Sequence, residues 1–150
     1  MEVKHPILAI DYGEKHFGLA VSDHKGLIAQ PLDTISITKN RDINKIIEEI
    51  LEIAEEHEVK TLLIGMPQAF TEKHNKTTEK INKFINKIKD VTTRPIITYD
   101  ESFSTTLAQS MLTSSGQSIR KSRKKIDSIS ATVFLQEYLN SLRQPHERKQ

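Results

Sequence analysis

The stretch from Ile7 to Asp23, Ile-Leu-Ala-Ile-Asp-Tyr-Gly-Glu-Lys-His-Phe-Gly-Leu-Ala-Val-Ser-Asp, constrains the fold more than any other part of the chain. Ile7 to Ile10 form a short apolar run that ends on Asp11, and a second run, Phe17 to Val21, follows a polar turn containing Gly13. Runs this short and this apolar predict buried strands, and their closeness predicts a hairpin. Asp11 then closes a central strand, where an ionised carboxylate without a partner is costly. Backbone N–H groups of the Gly13 turn or a bound cation would stabilise it there. The plainer alternative is a turn-forming Asp that bonds the backbone ahead of a glycine.

A third strand is expected over residues 26–37, and Pro31, which cannot donate to a ladder, places it at an edge or a bulge. Asp42 caps an expected helix from Ile43 to Glu56, in which Ile43, Ile46, Ile47, Ile50, Leu51 and Ala54 recur at intervals of three and four. Its acids, Glu48, Glu49, Glu52, Glu55 and Glu56, are expected to face solvent. Val59 to Ile64, closed by Gly65 and Pro67, predicts a fourth strand, parallel to the first because a helix intervenes. A second helix, from Thr71 or Glu72 to Lys89, buries Ile81, Phe84, Ile85 and Ile88 and turns many Lys and Asn outward. Pro95 to Tyr99 predicts a fifth strand running into Asp100-Glu101. Ser104 or Thr105 can cap a helix with Leu107, Ala108, Met111 and Leu112. A last helix is expected from near Ser122 to Leu142. The order implies an α/β fold, a mixed sheet covered on both faces.

At 150 residues and 36% hydrophobic, the chain has the size of one domain, expected over 1–142 with a basic tail at 143–150. No apolar run approaches a membrane span, and Met1 to Lys4 lead straight into the first strand without a signal-peptide pattern. The absence of cysteine excludes disulfides and thiolate metal sites and fits a cytoplasmic protein. With 22 Lys+Arg against 20 Asp+Glu the net charge is only +2, so distribution matters more than balance. Arg120, Lys121, Arg123, Lys124 and Lys125 form a basic run close to Asp127. Such a run can be merely a solvated face. The six histidines show no ligand spacing and are expected at the surface.

Parallel strands one, four and five end at one sheet edge, the place where ligand sites form. Asp11 and the pair Asp100-Glu101 both belong there, and strand alternation lets only one of that pair share a face with Asp11. Asp127 is followed by Ala131, Phe134, Leu135, Tyr138 and Leu142 at helical offsets, which predicts that it points inward. Its alternative is a helix-capping acid. Converging carboxylates without His or Cys favour Mg²⁺ or Mn²⁺, and two such ions about 4 Å apart clamp a phosphodiester. The run 120–125 is then expected to act as a mobile loop gripping flanking phosphates.

Four blocks of the chain resemble the YqgF/RuvX family. These are the first strand with Asp11-Tyr-Gly13 and Gly18; Leu63-Ile64-Gly65-Met66-Pro67; Asp100-Glu101-x-x-Ser104-Thr105-Thr106-x-Ala108; and Lys125-Ile126-Asp127-Ser128-x-Ser130-Ala131 ending in Leu135-Gln136-x-Tyr138-Leu139. The resemblance implies a ribonuclease H-like fold with a five-stranded sheet in the order 3-2-1-4-5. It further implies a bacterial nuclease that matures the end of pre-16S rRNA, with Holliday junction resolution as the alternative. By position, the family's acidic triad falls on Asp11, Glu101 and Asp127, which chooses Glu101 over Asp100 by resemblance only. Gly13, Gly65, Ser104 and Thr105 would support that site. The implied partner is nucleic acid, structured RNA before a DNA junction, with a ribosome precursor as its setting and a monomer or homodimer as the working unit. Two departures stand out: Ser102 occupies the place of a family arginine, and Gln68-Ala69-Phe70-Thr71 replaces an Asn- and Gly-bearing loop. Two other readings are a phosphate-binding loop of the actin, Hsp70 and sugar-kinase type, and a non-catalytic binding module of ribosome assembly or transcription.

Overall fold

The computed structural model describes residues 3–13, 16–38, 42–66, 72–100 and 119–143, with the backbone alone at 72–78, 100 and 119–128. Strands β1 (Ile7–Asp11), β2 (His16–Ser22) and β3 (Ala29–Ser36) precede helix α1 (Ile43–Glu56). Then follow β4 (Thr61–Met66), α2 (Glu72–Val91), β5 (Ile96–Asp100) and α3 (Ile119–Arg143). The five strands form one sheet in the order β3-β2-β1-β4-β5. β1 pairs antiparallel with β2 and parallel with β4, and β5 is parallel to β4. This is the mixed sheet expected from the chain, and β3 with its Pro31 lies at the edge.

Alternation along β1 builds two cores. Leu8 and Ile10 pack with Phe17, Leu19, Leu62 and Ile64 beneath α1 and α2, whereas Ile7 and Ala9 pack with Ala20 and Leu63 beneath α3. Small residues on the second face, Ala9, Ala20 and Ala29, let α3 come close, and Ala131, Phe134, Leu135 and Leu139 are fully buried against them. Gln136 fastens that helix to β3: its Oε1 accepts the Ala29 N–H at 2.9 Å and its Nε2 donates to the Leu27 carbonyl at 3.0 Å.

Helix α1 starts where the sequence places it, since the Asp42 carboxylate accepts the Lys45 N–H at 2.9 Å and satisfies one orphan donor of the first turn. Four of its five outward acids are exposed. Glu49 is half-buried. Strands β3, β4 and β5 are displaced by one to three residues from their expected limits, because ladder hydrogen bonds, not apolar runs, set strand ends. The last helix begins at Ile119, three residues before the expected start, so Arg120, Lys121, Arg123, Lys124 and Lys125 are helical. That corrects the loop expected there: cations at its first positions hide the apolar period that marks a helix elsewhere. His5, His16 and His57 are half-buried and not at the surface as expected. The helix expected over Leu107 to Leu112 lies outside the described residues.

The β2–β3 turn rests on Asp23, whose Oδ1 accepts the N–H groups of Leu27 at 2.7 Å and Ile28 at 3.1 Å. The hydrogen bond from Ile28 outweighs a small desolvation and, with that from Leu27, holds the carboxyl below its ordinary value. A depressed folded-state pKa means that the contribution is complete above the unfolded value near 3.8 and is lost as pH falls through the folded one. Asp23→Ala is therefore expected to cost about 1 kcal/mol at neutral pH, the loss of two charge-assisted bonds discounted for solvent screening. Urea unfolding of both proteins across the acid range checks this. A wild-type advantage that persists undiminished at the lowest pH would count against it.

Candidate active site

Asp11 is the last residue of β1 and half-buried. Alternation puts it on the α3 side of the sheet with Ile7 and Ala9. Its register partner on β2 is Gly18 and on β4 is Gly65, and Gly65 in turn pairs with Tyr99 of β5. The carboxyl edge of this face therefore reads Gly18, Asp11, Gly65, Tyr99. The register neighbours of Asp11 on both adjacent strands lack side chains. A local irregularity in the β2–β3 pairing, between Phe17 and Leu19, falls on Gly18.

Tyr99 belongs to this row, and its functional position was not foreseen from sequence. Its ring stacks on Phe134 of α3 with centroids 5.6 Å apart and meets Tyr138 edge-on at 6.1 Å. Its hydroxyl donates to the Glu137 carboxylate at 2.8 Å. Burial pushes the Tyr138 phenol above its ordinary range. Through these contacts α3 is anchored to the same row as Asp11. The signal available in the sequence was the adjacency of Tyr99 to Asp100-Glu101, together with aromatic residues at helical spacing on the last helix.

Gly13 closes the turn after Asp11. A Cβ there would collide with the His16 carbonyl oxygen, a backbone atom that cannot step aside cheaply. We expect Gly13→Ala to destabilise the fold by about 1–3 kcal/mol, the usual cost of forced overpacking, and to displace Asp11 with the turn. Chemical denaturation measures the first effect, and unchanged stability would mean that the turn tolerates the methyl group. His16, close in sequence to Asp11, has its Nδ1 3.1 Å from the Ser36 hydroxyl at the sheet edge.

Asp127 lies on α3, where only its backbone is described. Three, four, seven and eight residues further on come Ser130, Ala131, Phe134 and Leu135, all buried. Glu101, Ser102, Ser104, Thr105 and the 68–71 loop lie outside the described residues. Among the described residues, no three His, Asp or Glu side chains gather in a way that would hold a metal ion. Asp11 itself carries the hard oxygen donor that Mg²⁺ or Mn²⁺ takes, and both its register neighbours are glycine.

The RuvX family model, described as Holliday junction resolvase, matches residues 5–141. A relative from Desulforamulus reducens named "Putative pre-16S rRNA nuclease" is 37% identical, with 90% of this chain and 96% of the relative covered. Relatives of the same name from Geobacillus kaustophilus and Fusobacterium nucleatum are 36% and 35% identical, covering 91% and 89% of this chain and 98% and 95% of theirs. Among solved structures, Thermus thermophilus RuvC in complex with a Holliday junction substrate superposes with a TM-score of 0.57 at 14% identity, over 91% of this chain and 95% of RuvC. The fowlpox virus resolvase, solved with Holliday junction DNA, gives 0.54 at 16% identity over 92% and 99%. At these identities the two structures speak for the fold, which is that of ribonuclease H-like resolvases. None of the described helices is long and apolar enough to cross a membrane. The match along nearly the whole chain, on the sheet order that the residues themselves build, makes this protein a member of the RuvX family.

Proposed function

We propose that the protein is a divalent-metal-dependent nuclease that hydrolyses phosphodiester bonds in structured RNA, acting in the cytoplasm on the precursor of 16S rRNA. What carries this reading is Asp11, a strand-end carboxylate on the α3 face with glycine at both neighbouring register positions. The relatives named for pre-16S rRNA supply the substrate class.

Asp11, Glu101 and Asp127 are the residues that would hold the metal. Ile97 and Tyr99 face the α3 side and Ile96 the other, and Glu101 comes two positions after Tyr99 in the sequence, Asp100 one. This supports Glu101 over Asp100 independently of the family resemblance. Asp127 stands four residues before buried Ala131 and seven before buried Phe134, the spacing of one helical stripe. Mg²⁺ or Mn²⁺, most simply a pair of ions, would supply an acidified water and neutralise phosphate charge there. The chain's own contribution is to hold acceptor oxygens at a sheet edge where both register neighbours of Asp11 are glycine.

The basic residues act upstream on the same helix. Arg120, Arg123 and Lys124 precede Asp127 by seven, four and three residues, spacings that stack along one side of a helix, and Lys121 and Lys125 fall on another side. Their role is to meet phosphates that flank the cleaved bond. Ser102, standing for the family arginine, leaves the chain one cation short of the family pattern. The test is cleavage of a labelled structured RNA and of a four-way DNA junction with Mg²⁺ or Mn²⁺, wild type against Asp11→Asn. Wild-type cleavage of RNA that the variant lacks supports the reading. Cleavage of the junction alone would favour the resolvase, and equal activity in both proteins would remove Asp11 from the site.

A further inference from the structure

Helix α2 carries lysines at positions 73, 76, 80, 83 and 87, an alternation of three and four that draws one row along a helix. The last three, Lys80, Lys83 and Lys87, are exposed, and no ion pair among the described residues engages them. Glu79 stands beside the row, four residues before Lys83. A solvated helix face needs no such order. Here the row borders a cleft of about 220 Å³ whose other walls are Tyr12, Ile43 and Phe84.

Tyr12 follows Asp11 directly and packs on the opposite side of the sheet, against Phe17 at 5.0 Å and Phe84 at 5.7 Å between ring centroids. The cleft therefore opens one residue away from the proposed catalytic carboxylate, on the α1–α2 face, whereas the 120–125 cations belong to the α3 face. Its floor is aromatic and aliphatic and its rim cationic. Lys80 to Lys87 covers about 10 Å of helix at ~1.5 Å per residue, long enough to meet more than one phosphate of a strand. A duplex keeps its bases inside and would offer the floor nothing. An unpaired strand can lay a base or ribose on the apolar wall while its phosphates meet the lysines.

We propose that the cleft formed by Tyr12, Phe84, Lys80, Lys83 and Lys87 binds an unpaired segment of the nucleic-acid substrate that leads away from the cleavage site. The proposal rests on the nuclease reading for its substrate, but its test needs no cleavage. The Asp11→Asn protein, with metal chelated, is titrated against a fluorescein-labelled RNA hairpin bearing a single-stranded tail and against the same hairpin with a blunt end. Lys80→Gln, Lys83→Gln and Lys87→Gln combined are expected to weaken binding of the tailed hairpin about 10- to 100-fold near 0.1 M salt. The same variant lowers the slope of log affinity on log salt by about 2, at roughly 0.7 per phosphate contact, and leaves the blunt hairpin unchanged. A control with the same charge loss elsewhere, Lys25→Gln, Lys60→Gln and Lys89→Gln, is expected to bind both RNAs as before. Equal losses in the control, equal losses on the blunt hairpin, or no loss at all would overturn the cleft. Lysine-dependent tail binding by a wild type that cleaves nothing would instead overturn the nuclease reading and leave the cleft standing. Failure of the unsubstituted Asp11→Asn protein to bind either hairpin would overturn both.

Discussion

If the proposed function holds, Asp11→Asn is expected to abolish metal-dependent cleavage of structured RNA while the protein stays folded and bound to its substrate. The amide is nearly isosteric with the carboxylate, so the pairing of Asp11 with Gly18 and Gly65 is retained and thermal stability is expected to remain close to wild type. What would disappear is the carboxylate charge proposed to hold a divalent ion. Loss of residues that merely orient a metal ligand typically costs 10- to 100-fold, and loss of a ligand's own charge is expected to exceed about 100-fold. Asp127→Asn should behave alike, with cleavage lost and RNA affinity unchanged or raised, because a like charge leaves the neighbourhood of the phosphates. Single-turnover cleavage and anisotropy binding on the same preparations separate the two effects. A variant that loses binding in proportion to cleavage would point to misfolding or to a contact role, and Asp11 would cease to be a ligand.

Phe134→Ala is the substitution expected to cost the most stability, about 3–5 kcal/mol, the range for truncating a buried aromatic residue. Phe134 has no exposed surface, stacks on Tyr99 and sits among Ala131, Leu135 and Leu139 on the face lined by Ala9, Ala20 and Leu63. The backbone of a sheet cannot collapse into the space left by the ring, so most of the cavity would persist. Against a total stability of about 5–15 kcal/mol, such a loss is a large fraction of the whole and lowers the melting temperature by roughly 10 °C. Urea unfolding followed by circular dichroism measures it. Phe84→Ala, in the opposite core, provides the comparison, since both rings are almost completely buried. A cost under about 1 kcal/mol for Phe134 alone would mean that α3 does not rest on the sheet through this ring. Because α3 also carries Asp127, cleavage should fall with the folded fraction.

Much of the fold was legible locally. The apolar runs around Ile7 to Ile10 and Phe17 to Val21, the three-four period of α1 with its Asp42 cap, and the exclusion of Pro31 from a central strand are properties of short segments. Each acts through its own backbone hydrogen bonds and the face it must bury. The start of α3 was misread for the same reason: Arg120 to Lys125 carry no apolar period, and a helix held by packing further along gives no sign there.

By itself, then, the chain determined that Asp11 ends a buried strand and that acidic, basic and apolar residues recur at given spacings. Only the tertiary structure decided what stands beside what. Gly18, Asp11, Gly65 and Tyr99 form one row because hydrogen-bonded register joins strands separated by dozens of residues, and no local pattern encodes that register. The meeting of Tyr12 with the lysines of α2 has the same origin. Side-chain period says which residues share a face of an element. Which faces meet is decided by pairing and packing across the sheet.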